Sequence, residues 1–229
     1  MNNLGRIFST ESPVYQWLTK YCTVMLCGLA WFFLLVPIVT AGASCTAMSR
    51  MMFNIREDKP AGLKLFFKTF AAEFKKSTII WLIDMVCIAV LFVLLSFAGT
   101  SNMIVLTLMF VPVMLWIFTF LYVFPLTAFF DNTVKGTIKN GFLMSIKFFK
   151  QTIPALALSM IPFFGYLILG DYYFLYSVPI WVFVILPFIE YWKSYFFLKV
   201  FYNFLPEERQ IAFKKTKPDS EETGDDENQ

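Results

Sequence analysis

Residues 78–98 read TIIWLIDMVCIAVLFVLLSFA, with a single charge, at Asp84. About 20 mostly apolar residues cross the roughly 30 Å of hydrocarbon in a bilayer. This stretch is long enough, and it has companions. No residue between Lys20 and Arg50 is charged, which makes room for a span at Tyr21–Thr40. Further spans are expected at Met103–Phe124, Ile153–Leu169 and Phe174–Tyr191. The last two are separated by a tight turn at Gly170-Asp171-Tyr172. Composition agrees: the chain is 58% hydrophobic and 20% aromatic, with 29 Phe in 229 residues. One soluble core of this length cannot hide so much apolar surface.

Cations orient the spans. Arg50, Arg56, Lys59, Lys64, Lys68, Lys75 and Lys76 lie between the first and second. Lys135, Lys139, Lys147 and Lys150 lie between the third and fourth. Lys193, Lys199, Arg209, Lys214, Lys215 and Lys217 follow the fifth. The connections Gly99–Asn102 and Gly170–Tyr173 carry none. The cation-rich side is expected to be cytoplasmic, with the C-terminus inside and residues 1–20 outside, although Arg6 and Lys20 speak against the latter. Tyr15, Trp17 and Tyr21, with Tyr172, Tyr173 and Tyr176, fit an outer aromatic belt, and Tyr191, Trp192 and Tyr195 an inner one. The expected fold is an all-α polytopic membrane helix bundle of about five transmembrane helices plus two cytoplasmic amphipathic helices. It occupies residues 21–205. Residues 206–229, rich in Asp and Glu, form a charged disordered cytoplasmic tail.

The first span is too long for a cleaved signal peptide. Ala43-Ser44-Cys45 faintly resembles a lipidation box, but Gly42 stands where Leu or Val is expected. Cys22, Cys27, Cys45 and Cys87 show no paired spacing and read as small buried hydrophobes.

Two amphipathic helices are expected between spans. In Ala61–Lys76, Leu63, Phe66, Phe67, Phe70 and Phe74 share a face flanked by Lys64, Lys68 and Lys75. In Val134–Lys150, Val134, Ile138, Phe142 and Phe149 share one beside Lys139, Lys147 and Lys150. The plainer reading of both is an anchor in the lipid headgroups. The sharper reading is a docking surface for another protein. Lys76-Ser77-Thr78-Ile79 aligns with Lys150-Gln151-Thr152-Ile153, and Pro37-Ile38-Val39-Thr40 echoes Pro125-Leu126-Thr127. A parallel internal repeat of span, proline exit, amphipathic helix and span would explain both.

Ionisable groups within spans point to function. Asp84 lies eight residues beyond Lys76, about 12 Å inward. A bare carboxylate there costs at least ~2.5 kcal/mol, so it must be protonated, hydrated or paired. It serves either as a proton or cation site or as a carboxyl hydrogen-bonded to a neighbouring helix. Glu190 and Lys193 read as an interfacial salt bridge. Asp131, with Asn132 and Thr133 as other candidates, caps the helix that follows. Pro112, Pro154, Pro162, Pro179 and Pro187 kink the last three spans, which suits a solute path but is also ordinary for membrane helices. Ala43 and Ala47 form a small-xxx-small pair for close helix packing, within one chain or in a homo-oligomer.

The chain has no histidine, the commonest general base and metal ligand. It has no nucleophile elbow, P-loop or dinucleotide fingerprint. The expectation is a non-enzymatic protein without cofactor or metal. The basic patches lie against the membrane, so nucleic-acid binding is not expected.

Pro37-Ile38-Val39-Thr40-Ala41-Gly42-Ala43, with Ala47 after it, resembles the Pro-x-x-Thr-x-Gly signature of the YesL family of small bacterial integral membrane proteins. Phe70, Phe74-Lys75-Lys76-Ser77, Phe124-Pro125-Leu126 and Phe130-Asp131 fit the same pattern. Gly141 departs from it, standing where Ala is expected. The resemblance covers about Leu4 to Leu205. It implies a bacterial plasma-membrane protein of unknown activity, associated with carbohydrate uptake or its sensing. The functional expectation is an accessory partner of a sugar transporter subunit or sensor kinase. The alternative is a small-solute or ion transporter using Asp84.

Overall fold

The computed structural model describes residues 13–98 and 103–205. Arg6, the connection Gly99–Asn102, the side chain of Trp17 and the tail 206–229 lie outside the described residues. Among the described residues there are helices and no strands. Helix α1 is Pro13–Leu35, and a short 3-10 turn, Ile38–Thr40, leads into α2, Ala41–Arg56. Next come α3 (Leu63–Ala98), α4 (Met103–Phe129), α5 (Val134–Lys147) and α6 (Phe149–Ile180). A wide π turn at Trp181–Ile185 joins α6 to α7, Leu186–Phe201.

Four stretches are long and apolar enough to cross a membrane: Leu18–Leu35, Leu63–Leu94, Thr107–Phe129 and Phe149–Phe204. The fourth doubles back. Gly170 takes φ 68° and ψ 174°, a conformation that L side chains rarely adopt. Beyond it the chain returns antiparallel. A Cβ on Gly165 would stand 2.3 Å from the Trp181 ring, and Tyr166 packs on Phe174 at 5.5 Å. The expected turn after the fourth span is therefore in place.

Helix α2 centres the molecule. Twelve of its sixteen residues are buried. One core joins its Ala47, Met48, Met51, Met52 and Ile55 to Val24, Cys27 and Trp31 of α1 and Phe66 of α3. A second joins its Phe53 to Tyr122 and Leu126 of α4, Met144 of α5, Ala155 of α6, and Phe197 and Phe201 of α7.

This arrangement corrects the expected topology in three respects. First, α1 ends at Leu35 rather than Thr40, and α2 runs back antiparallel beside it. Lys20, near the start of α1, is thereby paired with Asp58, just beyond α2. The beginning of the first helix shares one end of the molecule with the segment following Arg56. A single crossing with residues 1–20 outside and that segment inside does not separate them. Second, Ala61–Lys76 is not a separate helix lying on a surface. It is the first half of α3, which runs unbroken for 36 residues, about 54 Å. Neither Pro nor Gly interrupts Leu63–Ala98, so nothing ends the helix where the composition changes. Helix α1 lies beside this first half. Its core contact is Phe66, and the Thr78 hydroxyl reaches Val39 O, just past the end of α1, at 3.3 Å. The apolar half of α3 extends beyond it, paired with α4.

Third, α5 stops at Lys147, and Phe149 opens the next helix. Its buried residues are Thr137, Gly141, Met144 and Ser145, while Phe142 and Phe149 of the expected face are exposed. The small face packs: a Cβ on Gly141 would lie 3.1 Å from Thr119 O and from Val123 Cγ2. Close backbone approach across small residues is how membrane helices associate. Thr133, not Asp131, caps α5, accepting from Gly136 N at 3.2 Å. The two stretches aligned as a repeat fall in different settings: Lys76-Ser77-Thr78-Ile79 lies inside a long helix, whereas Lys150-Gln151-Thr152-Ile153 opens one.

Candidate functional site

Asp84 lies on the apolar half of α3 and faces α4. Its side chain is buried, and Trp116 Nε1–H donates to Oδ1 at 3.0 Å. The indole supplies the partner that a carboxyl at this depth requires. Trp116 also walls an apolar groove of about 280 Å³ with Val86, Cys87, Val90, Leu91 and Pro112. Among the described residues, no group of three or more His, Cys, Asp or Glu is placed to hold a metal ion.

The six lysines singled out from sequence are all exposed, on two different layers. Lys64, Lys68 and Lys75 line the first half of α3, the half that α2 and α1 flank. Lys139, Lys147 and Lys150 lie on α5 and the start of α6. Lys147 Nζ stands 5.6 Å from the ring centres of Phe148 and Phe204. The structure does not join the two sets into one patch.

Pro37, Thr40, Gly42, Ala43 and Ala47 act together at the α1–α2 reversal. Pro37 precedes the 3-10 turn, and the Thr40 hydroxyl donates to Leu34 O at 2.5 Å and Pro37 O at 2.8 Å. Leu34 O is a carbonyl that the helix end leaves open, and Pro37 O also accepts from Thr40 N–H at 3.0 Å. Gly42 lets α2 lie directly on α3: a Cβ there would stand 2.5 Å from Ser77 O and 2.8 Å from Trp81 Cβ. One turn on, Thr46 and Ser77 hydroxyls bond at 2.8 Å. Ala43 and Ala47 are fully buried within this one chain. Cys45 lies one turn into α2.

Reasoning from sequence missed Arg50 and Arg56, which look like loop cations. Arg50 donates to Ala128 O at the end of α4, at 2.5 Å. Arg56 donates to Ser194 Oγ at 2.9 Å and Tyr191 O at 2.6 Å, with its guanidinium 4.2 Å from the Tyr191 ring centre. Burial lowers its pKa from the ordinary arginine value, and the two neighbouring tyrosines oppose that shift. Both arginines tie the polar end of α2 to later helices.

The α1–α2–α3 arrangement falls in a recognised sequence segment. Residues 24–95 match the family described as protein of unknown function, DUF624. The match is consistent with the resemblance to the YesL family. The DUF624 segment contains the Pro37–Ala47 reversal, the lysines of α3 and Asp84. It ends before α4, so Trp116 lies beyond it. No curated protein and no solved structure matches the chain.

Proposed function

We propose that this is a non-enzymatic accessory protein of a bacterial plasma membrane. It docks a transporter subunit or sensor kinase of carbohydrate uptake through the first half of α3. The observation that carries this reading is the unbroken α3. At about 54 Å it exceeds the roughly 30 Å of hydrocarbon by almost the length of its cationic half. Lys64, Lys68 and Lys75 are exposed along a rigid helix half that packs on α1 and α2, and such a fixed row of cations suits recognition by a protein surface. The same reading places the cation-rich end and the C-terminus in the cytoplasm.

The test is recovery of the complex from the native host. The wild-type protein should bring a transporter or kinase subunit with it in mild detergent. The triple variant Lys64→Glu, Lys68→Glu, Lys75→Glu should insert normally and lose that partner. Equal recovery by the variant refutes docking at α3. A second reading, transport, is favoured by Asp84 beside the 280 Å³ groove. It requires solute flux in liposomes that falls in Asp84→Asn.

A further inference from the structure

Where α1, α2, α4 and α7 converge, they line a half-open cavity of about 160 Å³. One wall belongs to α7. There Glu190 and Lys193, one turn apart, form an ion pair at 2.6 Å with side chains only 19% and 13% exposed. The pair was expected from sequence; its position among four helices was not. Desolvating two charges costs several kcal/mol per ion, and a pair in one geometry repays that only in part. The bond between them uses one carboxylate oxygen and one ammonium hydrogen. The second oxygen and two hydrogens remain for a ligand.

A further donor stands on the α1 wall. The indole N–H of Trp31 is buried and meets no oxygen or nitrogen acceptor among the described residues; the group it faces is the thiol of Cys45. Its neighbour Cys45 also lines the cavity. Burial pushes that thiol up to about 11, so it is protonated at neutral pH and a weak acceptor. Ser49 adds a hydroxyl, which donates to Cys45 O at 3.0 Å, and the rest of the lining is apolar, chiefly Phe120, Phe124 and Met48.

These features limit the occupant. A ligand with one net charge would leave the cavity with an unbalanced charge, which is costly out of water. A polyol would satisfy the donors and acceptors but not the phenyl walls. A zwitterion keeps the charge balanced, its ammonium on the free Glu190 oxygen and its anion on Lys193 and the indole N–H. A cavity of about 150 Å³ admits a body the size of benzene.

We propose that this cavity binds a small zwitterion with an apolar body, of the apolar α-amino acid class, through Glu190, Lys193 and Trp31. An ethanolamine phospholipid headgroup carries the same paired charges, and the experiment separates the two sources.

The purified protein in phosphatidylglycerol nanodiscs is titrated calorimetrically with L-leucine, isopentylamine and 4-methylpentanoate. Leucine should bind saturably at one site, and the two singly charged analogues at least about tenfold more weakly. Trp31→Phe removes the donor together with part of a core side chain, so the variant should unfold somewhat earlier yet still fold, and it should weaken leucine by about three- to tenfold. Lys193→Gln should abolish binding. Repeating the titration with phosphatidylethanolamine in the disc assigns the source. An unchanged leucine affinity means a free zwitterion, and competition means the lipid headgroup. Three results would each overturn the proposal: no saturable leucine binding in either disc, equal binding of a singly charged analogue, or unaltered binding in both variants.

Discussion

Gly42→Ala tests the close contact between α2 and α3. The added Cβ would meet Ser77 O at 2.5 Å, about 0.9 Å short of an ordinary contact, and Trp81 Cβ at 2.8 Å. Neither obstacle can rotate away, because one is backbone and the other is the root of a side chain. The two helices must separate, and overpacking of this kind costs about 1–3 kcal/mol. Alanine is the better helix former, which returns about 0.8–1.0 kcal/mol. Because neither obstacle can move, the cost lies at the upper end of that range, and the net expectation is a loss of about 2 kcal/mol, roughly a thirtyfold fall in the folded-to-unfolded ratio. Gly141→Ala is the matched control. Its Cβ would stand 3.1 Å from Thr119 O and Val123 Cγ2. A shift of a few tenths of an ångström accommodates it, so the helix gain should cancel the cost to within about 0.5 kcal/mol. Unfolding in mixed micelles, followed by circular dichroism as the SDS fraction rises, measures both. If Gly42→Ala is as stable as wild type, or if the two variants rank in reverse, the contact does not hold α2 in place.

Cysteines placed by Lys20→Cys and Asp58→Cys should crosslink on oxidation and label with an impermeant maleimide from the same side of the membrane; labelling from opposite sides would restore the single-crossing topology. Trp116→Phe should lower stability by about 1–3 kcal/mol, because the Asp84 carboxyl loses its donor; an unchanged unfolding midpoint would show that Asp84 finds another partner. At pH 7.5 the exposed Cys22 should alkylate well ahead of Cys45, whose pKa near 11 leaves it protonated. Cys45 labelling should then accelerate as pH rises towards that value, and a flat rate between pH 8 and 10 would contradict it. Gly170→Ala should destabilise the α6 hairpin by about 1–2 kcal/mol through its positive φ alone, since no atom lies within 4 Å of the added Cβ; an equal melting temperature would count against the turn.

The apolar arms and the Gly170 turn were legible because both are local properties: run length, and a glycine beside polar residues. Helix α2 was not. Its buried surface is built of Gly, Ala, Ser, Thr and Met, which carry little hydropathy and gain their burial from close approach. Arg50 and Arg56 then made the stretch look like a cationic loop. The continuity of α3 was hidden by the change of composition at Lys75-Lys76, which resembles a boundary although nothing there breaks a helix. On α5 the large apolar side chains suggested the packed face, whereas Gly141, Thr137 and Ser145 supply it. Asp84 stood out by its charge, but its partner Trp116 lies 32 positions away, and no spacing rule links them. The Glu190–Lys193 pair followed from its i,i+3 interval; only the tertiary fold reveals that it faces Trp31.

The central position of α2 also bears on how the protein is made. Its neighbours are α1, α3, α4 and α7, and of these four α7 is synthesised last. Until Ser194 and Phe201 have emerged, Arg56 lacks its partners and Phe53 lacks one wall of its core. Membrane insertion of the early helices therefore precedes completion of the hub they surround. Truncation before α7 should leave an inserted but open intermediate, a natural substrate for membrane proteases. The last of these helices thus closes the packing around α2.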